Sequence, residues 1–169
     1  AVVVGVLIAG GTARGGTVAW TNVAGDWAVG GNWDSGSVPG PGDDVFITNA
    51  GASVVIASDQ TVRSLTLART LTFTNWNTTL TASNVVVQTN GIVTHAGPFT
   101  SSQMSNNVVI VCTNLTVDAG GLIDLNARGC AGALNTAGHN AVGYGPGAGT
   151  GYRGAGHGGL GGGPSGSIY

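Results

Sequence analysis

Between residues 45 and 126, apolar and polar positions alternate in short runs that recur along the chain. Each unit contains an alternating strand, a glycine or polar turn, and a second short strand. The first strands of four units begin at Val45, Leu65, Val85 and Leu115, so two equal steps along the chain are followed by a longer one. Glycines occupy the turns of three units, at Gly51, Gly91 and Gly121. The pattern therefore predicts a repeat protein built from strands.

A unit of about 20 residues cannot bury its apolar face by itself, so neighbouring units must stack on one another. This favours a parallel β-solenoid over residues 45–128, with a β-sandwich as the alternative because its short strands recur at similar spacing. Thr66 and Thr72 are expected to point outward. The residues expected to point inward are Leu65, Leu67, Leu71, Phe73, Val85, Val87, Ile92, Leu115, Val117 and Leu122. The longer step, from Val85 to Leu115, predicts a ten-residue protrusion over residues 97–106.

The two ends of the chain differ from this repeat. Residues 1–15 open with nine apolar residues followed by small ones, which is typical of the remnant of a secretory signal peptide, although a buried strand is the alternative. Residues 16–44 are predicted to form an N-terminal cap. Residues 129–169 hold half of the 32 glycines, which predicts a glycine-rich loop or linker that continues into further chain.

Charge is scarce, and this excludes several classes of protein. Charged residues make up 7% of the chain, all of them Asp or Arg, and the net charge is −2. Helical surfaces normally carry Glu and Lys, so their absence supports an all-β fold. Five scattered arginines form no basic stripe, so nucleic acid is not an expected partner. The longest apolar run is too short to span a bilayer as a helix, so no membrane span is expected in the mature chain.

The cysteines leave two possibilities open. Cys112 and Cys130 are separated by close to one turn of a coil of about 20 residues, so they are candidates for a disulfide in an oxidising compartment. The alternative is two small buried residues that never bridge.

Titratable residues are too dispersed to predict a catalytic site. Asp43 and Asp44 are adjacent, so they suit a turn or a weak calcium site better than a pair of catalytic carboxylates. His139 and His157 could bind a metal together with Asp124 or Cys130, but solvated histidines are far commoner. We therefore expect no catalytic residues and no cofactor. Apart from Asp43 and Asp44, Asp118, Asp124 and Arg128 are the Asp and Arg residues that cluster, and they are not predicted to form an active site.

Three tryptophans precede the first clear repeat, at Trp20, Trp27 and Trp33. In this position they could cover the open end of a solenoid, which needs a cap to prevent end-to-end association. Alternatively, they could form a platform on which sugar rings stack. The cap is the favoured interpretation.

The segments GDWAVGGNW (25–33) and VPGPGDDVFI (38–47) resemble the opening of large secreted bacterial repeat proteins, including autotransporter-like and surface adhesin-like chains. In such proteins this segment precedes a right-handed parallel β-helix. The resemblance extends through the repeats into the glycine-rich tail. It implies a passenger or stalk displayed outside the cell, and it implies no set of catalytic residues.

The expected function is thus that of a non-enzymatic structural or adhesive protein, extracellular or at the cell surface. Its expected partners are surface polysaccharide or other copies of itself. The alternative is the N-terminal part of a β-helical polysaccharide lyase or glycoside hydrolase, with its catalytic groups mostly elsewhere.

Overall fold

The structure is a computed structural model that describes residues 15–100, 104–131 and Tyr144. The segment predicted as a signal-peptide remnant and most of the glycine-rich tail, including His139 and His157, lie outside the described residues. In the described part, the chain forms eleven strands and one 3₁₀ turn, Gly30–Asn32. The strands are β1 (Thr17–Ala19), β2 (Ala24–Asp26), β3 (Asp44–Ile47), β4 (Ser53–Ile56), β5 (Gln60–Thr61), β6 (Ser64–Leu67), β7 (Thr70–Phe73), β8 (Thr79–Val87), β9 (Ile92–His95), β10 (Val109–Val117) and β11 (Leu122–Ile123).

The strands form two parallel sheets between which the chain alternates. One sheet has the order β1-β3-β6-β8-β10, with β5 also pairing with β8. The other has the order β11-β9-β7-β4-β2. The predicted all-β class is confirmed. All the pairings between named strands are parallel, whereas a sandwich of the kind considered above has antiparallel sheets.

The registers of the first sheet follow the offsets in the sequence. Val45 pairs with Leu65, Leu65 with Val85, and Val85 with Leu115. Parallel in-register pairing places these side chains on one column, about 4.8 Å apart. The predicted inward residues of β6, β7 and β8 are buried in one core that runs between the sheets.

The second sheet is shifted by one residue from the predicted register. Leu71 pairs with Val93, and Val93 pairs with Ile123, so the predicted inward residues Ile92 and Leu122 were wrong. The cause is the length of the preceding turn, which has two residues between β6 and β7 but four between β8 and β9. A shift of one residue exchanges the two faces of a strand.

The turn glycines are likewise not all equivalent. Gly51, Asn90 and Gly120 share the left-handed backbone conformation, with φ of 77°, 68° and 82°. The predicted match of Gly51 with Gly91 was therefore wrong by one position. Gly91 has a different role: a Cβ there would lie 2.4 Å from the carbonyl oxygen of Leu67 in the preceding coil. A coil here means one passage of the chain through both sheets.

The additional residues of the longer step lie between β9 and β10, as predicted, but they do not simply protrude. Phe99 is buried and stacks on His95 with ring centroids 5.6 Å apart. Its backbone N–H donates to the Gly129 carbonyl at 2.9 Å. The Asn106 side chain donates to the Ala96 carbonyl at 2.9 Å. These contacts hold the described parts of the segment against the end of β9 and against Gly129.

The last coil exposes side chains that the earlier coils bury. Leu115 is 47% exposed, while its partner Val85 is buried. Val117 and Ile123 are also exposed. The predicted inward positions Leu115 and Val117 therefore continue the buried columns, but in the described residues no further strand stacks on them.

Replacing Phe73 with Ala should test the core. Phe73 is fully buried between β4 and β9, so Phe73→Ala should lower the free energy of unfolding in urea by about 3–5 kcal/mol. The control is Thr72→Ala on the opposite face of β7, where we expect a loss below about 1 kcal/mol. Equal losses would contradict this assignment of faces.

Replacing Gly91 with Ala should test the close stacking of the coils. The added methyl would collide with backbone oxygens of Leu67 and Gln88, so we expect a loss of about 1–3 kcal/mol in the free energy of unfolding. Gly31→Ala is the matched control because nothing lies within 4 Å of its Cβ position. A Gly91 variant as stable as the control would show that the coils are not packed this closely.

Candidate functional site

The three N-terminal tryptophans form a closed aromatic cluster. Trp20 and Trp27 each contact Trp33 edge to face, with centroids 4.9 Å apart. The Trp33 Nε1–H donates to the Trp27 carbonyl oxygen at 2.8 Å. All three rings are buried, so none offers the exposed face that a sugar-stacking platform requires.

Asp43 connects the segment before β1 to the segment before β3. One oxygen of its carboxylate accepts the N–H of Gly16 at 2.8 Å, and the other accepts the N–H of Gly40 at 2.7 Å. These two backbone donors stabilise the charged form, so they lower the pKa of Asp43 below its usual value. Both oxygens of the carboxylate are thus used in holding backbone in place.

Asp44 makes a different set of contacts and joins two coils. Its carboxylate accepts a bidentate pair of bonds from Arg63 and a third from the Ser64 hydroxyl at 2.6 Å. These bonds, led by the one from Arg63, lower the pKa of Asp44. In the described residues, no group of three or more His, Cys, Asp or Glu side chains converges as a metal site. Within the part of the chain that the structure describes, no further candidate ligand therefore joins Asp43 and Asp44 to support the weak calcium site.

The most exposed tryptophan of the described chain was not predicted as a site from the sequence. Trp76 is 47% exposed, in the turn of residues 74–78 between β7 and β8. It lies between two exposed asparagines, Asn75 and Asn77. The sequence did contain a signal for this site, namely a tryptophan that lies between two asparagines and outside both strand patterns. A turn of this composition directs its side chains toward solvent.

The Trp76 turn rests on the turn of residues 57–59 in the preceding coil. The Asn75 side chain donates to the Ala57 carbonyl, and the Thr79 backbone N–H donates to Asp59 Oδ1 at 2.8 Å. We call these two turns together the Trp76 platform. It joins an apolar ring to exposed polar side chains on a hydrogen-bonded base.

A model of the G8 domain matches residues 32–120, just over half of the chain. The chain belongs to the G8 domain family. The match includes Trp33, the Asp43–Asp44 pair and the whole Trp76 platform. The G8 domain is an extracellular domain of cell-surface and secreted proteins, which supports the predicted extracellular location in general terms. No curated protein and no solved structure matches the chain significantly.

The cysteines of this G8 chain are not bridged. Cys112 and Cys130 are both free and half-buried. Cys112 pairs with Ala82, whereas Cys130 pairs with Phe99 elsewhere around the coil. The predicted disulfide is therefore absent, because Cys112 lies in β10 and Cys130 lies beyond β11, so the two residues do not stack on each other. Of the two possibilities, the structure has the separate thiols.

The charged residues near the end of the G8 match have separate surroundings. Asp118 and Asp124 are exposed, and Asp124 Oδ1 accepts the backbone N–H of Asn126 at 2.9 Å. Arg128 donates to the Gly97 carbonyl at 3.2 Å.

No helix in the described residues is long and apolar enough to cross a membrane.

Acid should destabilise this G8 domain through Asp43 and Asp44. Their lowered pKa values mean that the unfolded chain binds more protons in the acid range, so their stabilising contribution is complete above about pH 4 and is lost as the pH falls through the lowered pKa. Unfolding midpoints measured from pH 7 to acid should fall accordingly, and Asp43→Asn should give a lower midpoint at pH 7 with a shallower acid slope.

Arg63→Gln is the control for this pH dependence. It removes the guanidinium from Asp44 and leaves both backbone bonds of Asp43 intact. It should reduce the acid slope mainly through Asp44, and to a smaller extent through Asp43, whose pKa the charge of Arg63 also lowers. An Asp43→Asn profile as steep as that of the unsubstituted chain would show that the backbone bonds to Asp43 do not produce the shift.

Proposed function

We propose that this G8 chain is part of a non-enzymatic extracellular protein with a structural or adhesive role, similar to the adhesin-like repeat proteins, and that its two sheets are faces of a right-handed parallel β-helix. The observation that carries the proposal is the continuity of the ladder from β1 through β3, β6 and β8 to β10. Such a ladder extends a rigid surface coil by coil, which suits a protein that displays contacts at a distance.

The connections between the sheets support the proposed hand. The chain leaves β3, passes through β4 in the second sheet, and returns to β6 beside β3 and parallel to it. A connection that returns to a parallel neighbour in the same sheet is right-handed in about 98% of cases.

The use of the polar groups favours a structural role over the lyase or hydrolase alternative. The carboxylates of Asp43 and Asp44 accept hydrogen bonds from backbone amides, a guanidinium and a hydroxyl. Asn114 donates to Asn84 in the coil below at 2.8 Å. These groups bond one coil to the next, and such bonds contribute to stability instead of serving a reaction.

The proposed function can be tested by combining limited proteolysis with a turnover assay. We expect residues 15–131 to persist as one resistant unit, because opening a single coil exposes the core of its neighbours. We also expect no reducing ends and no unsaturated uronates after incubation with neutral and acidic polysaccharides. Product release that is abolished by substituting Asp118 or Asp124 would establish the enzyme instead, and rapid cleavage within the repeats would contradict the rigid scaffold.

A further inference from the structure

We propose that the Trp76 platform binds neutral sugar residues of an extracellular polysaccharide, with the indole as the stacking surface. This inference deepens the proposed function and rests on its extracellular, adhesive role. It assigns the sugar contact to the exposed Trp76 instead of the buried N-terminal cluster.

The exposure of Trp76 is the first observation. An indole is a large apolar surface, and the other three tryptophans of the chain are almost completely buried. Trp76 instead lies at the tip of a turn with about half of its surface in water. Its flat apolar face suits the C–H face of a pyranose ring, since an aromatic ring buries much area while losing few rotamers.

The backbone beneath the ring is held in place before any ligand arrives. The Thr74 N–H donates to the Ile56 carbonyl at 3.1 Å, and the Asn75 side chain donates to the Ala57 carbonyl. Thr78, on the other side of the tip, is buried. A turn fixed on both sides loses little conformational entropy on binding, so more of the contact energy remains as affinity.

Polar groups of the platform match sugar hydroxyls. Asn77 is exposed and offers an amide donor and an acceptor. Asp59 is exposed and uses one carboxylate oxygen for Thr79, which leaves the second oxygen as an acceptor. The exposed Ser58 hydroxyl accepts from Gln60 at 3.1 Å and retains its own proton for donation. The ring therefore has hydrogen-bonding neighbours that can orient a sugar.

Charge restricts the class of sugar. Asp59 is the only ionisable side chain of the two turns, residues 57–59 and 74–78. The arginine of the neighbouring coil corner, Arg63, is paired with Asp44. A polyuronate or sulfated polymer would meet an unneutralised carboxylate, which opposes its binding. The polar surroundings of the ring also differ from the contiguous apolar centre of a protein interface. Neutral polysaccharide is thus the ligand class that fits.

The test measures binding of three neutral hexasaccharides, cellohexaose, mannohexaose and hexa-N-acetylchitohexaose, to the full chain by calorimetry and by the NMR signals of the indole N–H groups. We expect at least one to bind and to move the Trp76 signal while the signals of the buried tryptophans stay in place. Trp76→Ala should weaken binding about tenfold, equivalent to about 1.4 kcal/mol, and Trp76→Phe should retain part of the affinity. The matched control, Val29→Ala, removes an exposed apolar side chain elsewhere and should bind like the unsubstituted chain.

A hexagalacturonate serves as the acidic probe. We expect it to bind more weakly than the neutral ligand, and Asp59→Asn should reduce this discrimination because the amide keeps an acceptor for Thr79 but removes the charge. The proposal is overturned if none of the neutral hexasaccharides binds, if Trp76→Ala binds as tightly as the unsubstituted chain, or if the acidic probe binds best. None of these outcomes changes the proteolysis and turnover results, so the scaffold role would stand without the sugar site.

Discussion

Parallel pairing in register obliges each inward side chain to pack on the same position of the coil below. In the first sheet this condition joins Val45, Leu65, Val85 and Leu115 into one column. Each coil packs against the coil before it and the coil after it. The number of residues between equivalent apolar positions must therefore equal the length of a coil, or the chain must include a loop that holds the additional residues. The segment between β9 and β10 is such a loop, and it lengthens the step from Val85 to Leu115 while the column continues.

The corners and the ends of the stack differ from its interior. At one corner, Asp44, Ser64, Asn84 and Asn114 occupy successive positions of the ladder, and hydrogen bonds join Asp44 to Ser64 and Asn84 to Asn114. Short polar side chains fit there because the corner faces water while its backbone must remain paired. The two ends of the described stack differ: the first coils enclose three tryptophans, whereas the last coil presents Leu115 and Val117 to solvent.

Much of the first sheet was predictable because its strands begin at regular offsets. The second sheet was not, since its register depends on turns of five, two and four residues after β3, β6 and β8, and composition alone does not say which turn residue takes the left-handed conformation. Asn90 takes it where a glycine was expected. The disulfide prediction failed for a related reason, because it assumed a constant coil length around Cys112 and Cys130.

The surroundings of the tryptophans could not be predicted from the spacing of apolar residues along the chain. Trp20, Trp27 and Trp33 lie before the repeat, and their mutual burial depends on how β1 and the 3₁₀ turn bring distant residues together. Trp76 lies in a turn, where the ladder requires no inward side chain. Inward side chains pack in the core and corner side chains bond neighbouring coils, so the turns and the outward faces of the strands are the positions at which this fold leaves side chains available for other contacts. An exposed indole on a hydrogen-bonded turn is therefore more informative about recognition than any of the three buried rings, because stacking of the coils does not account for it.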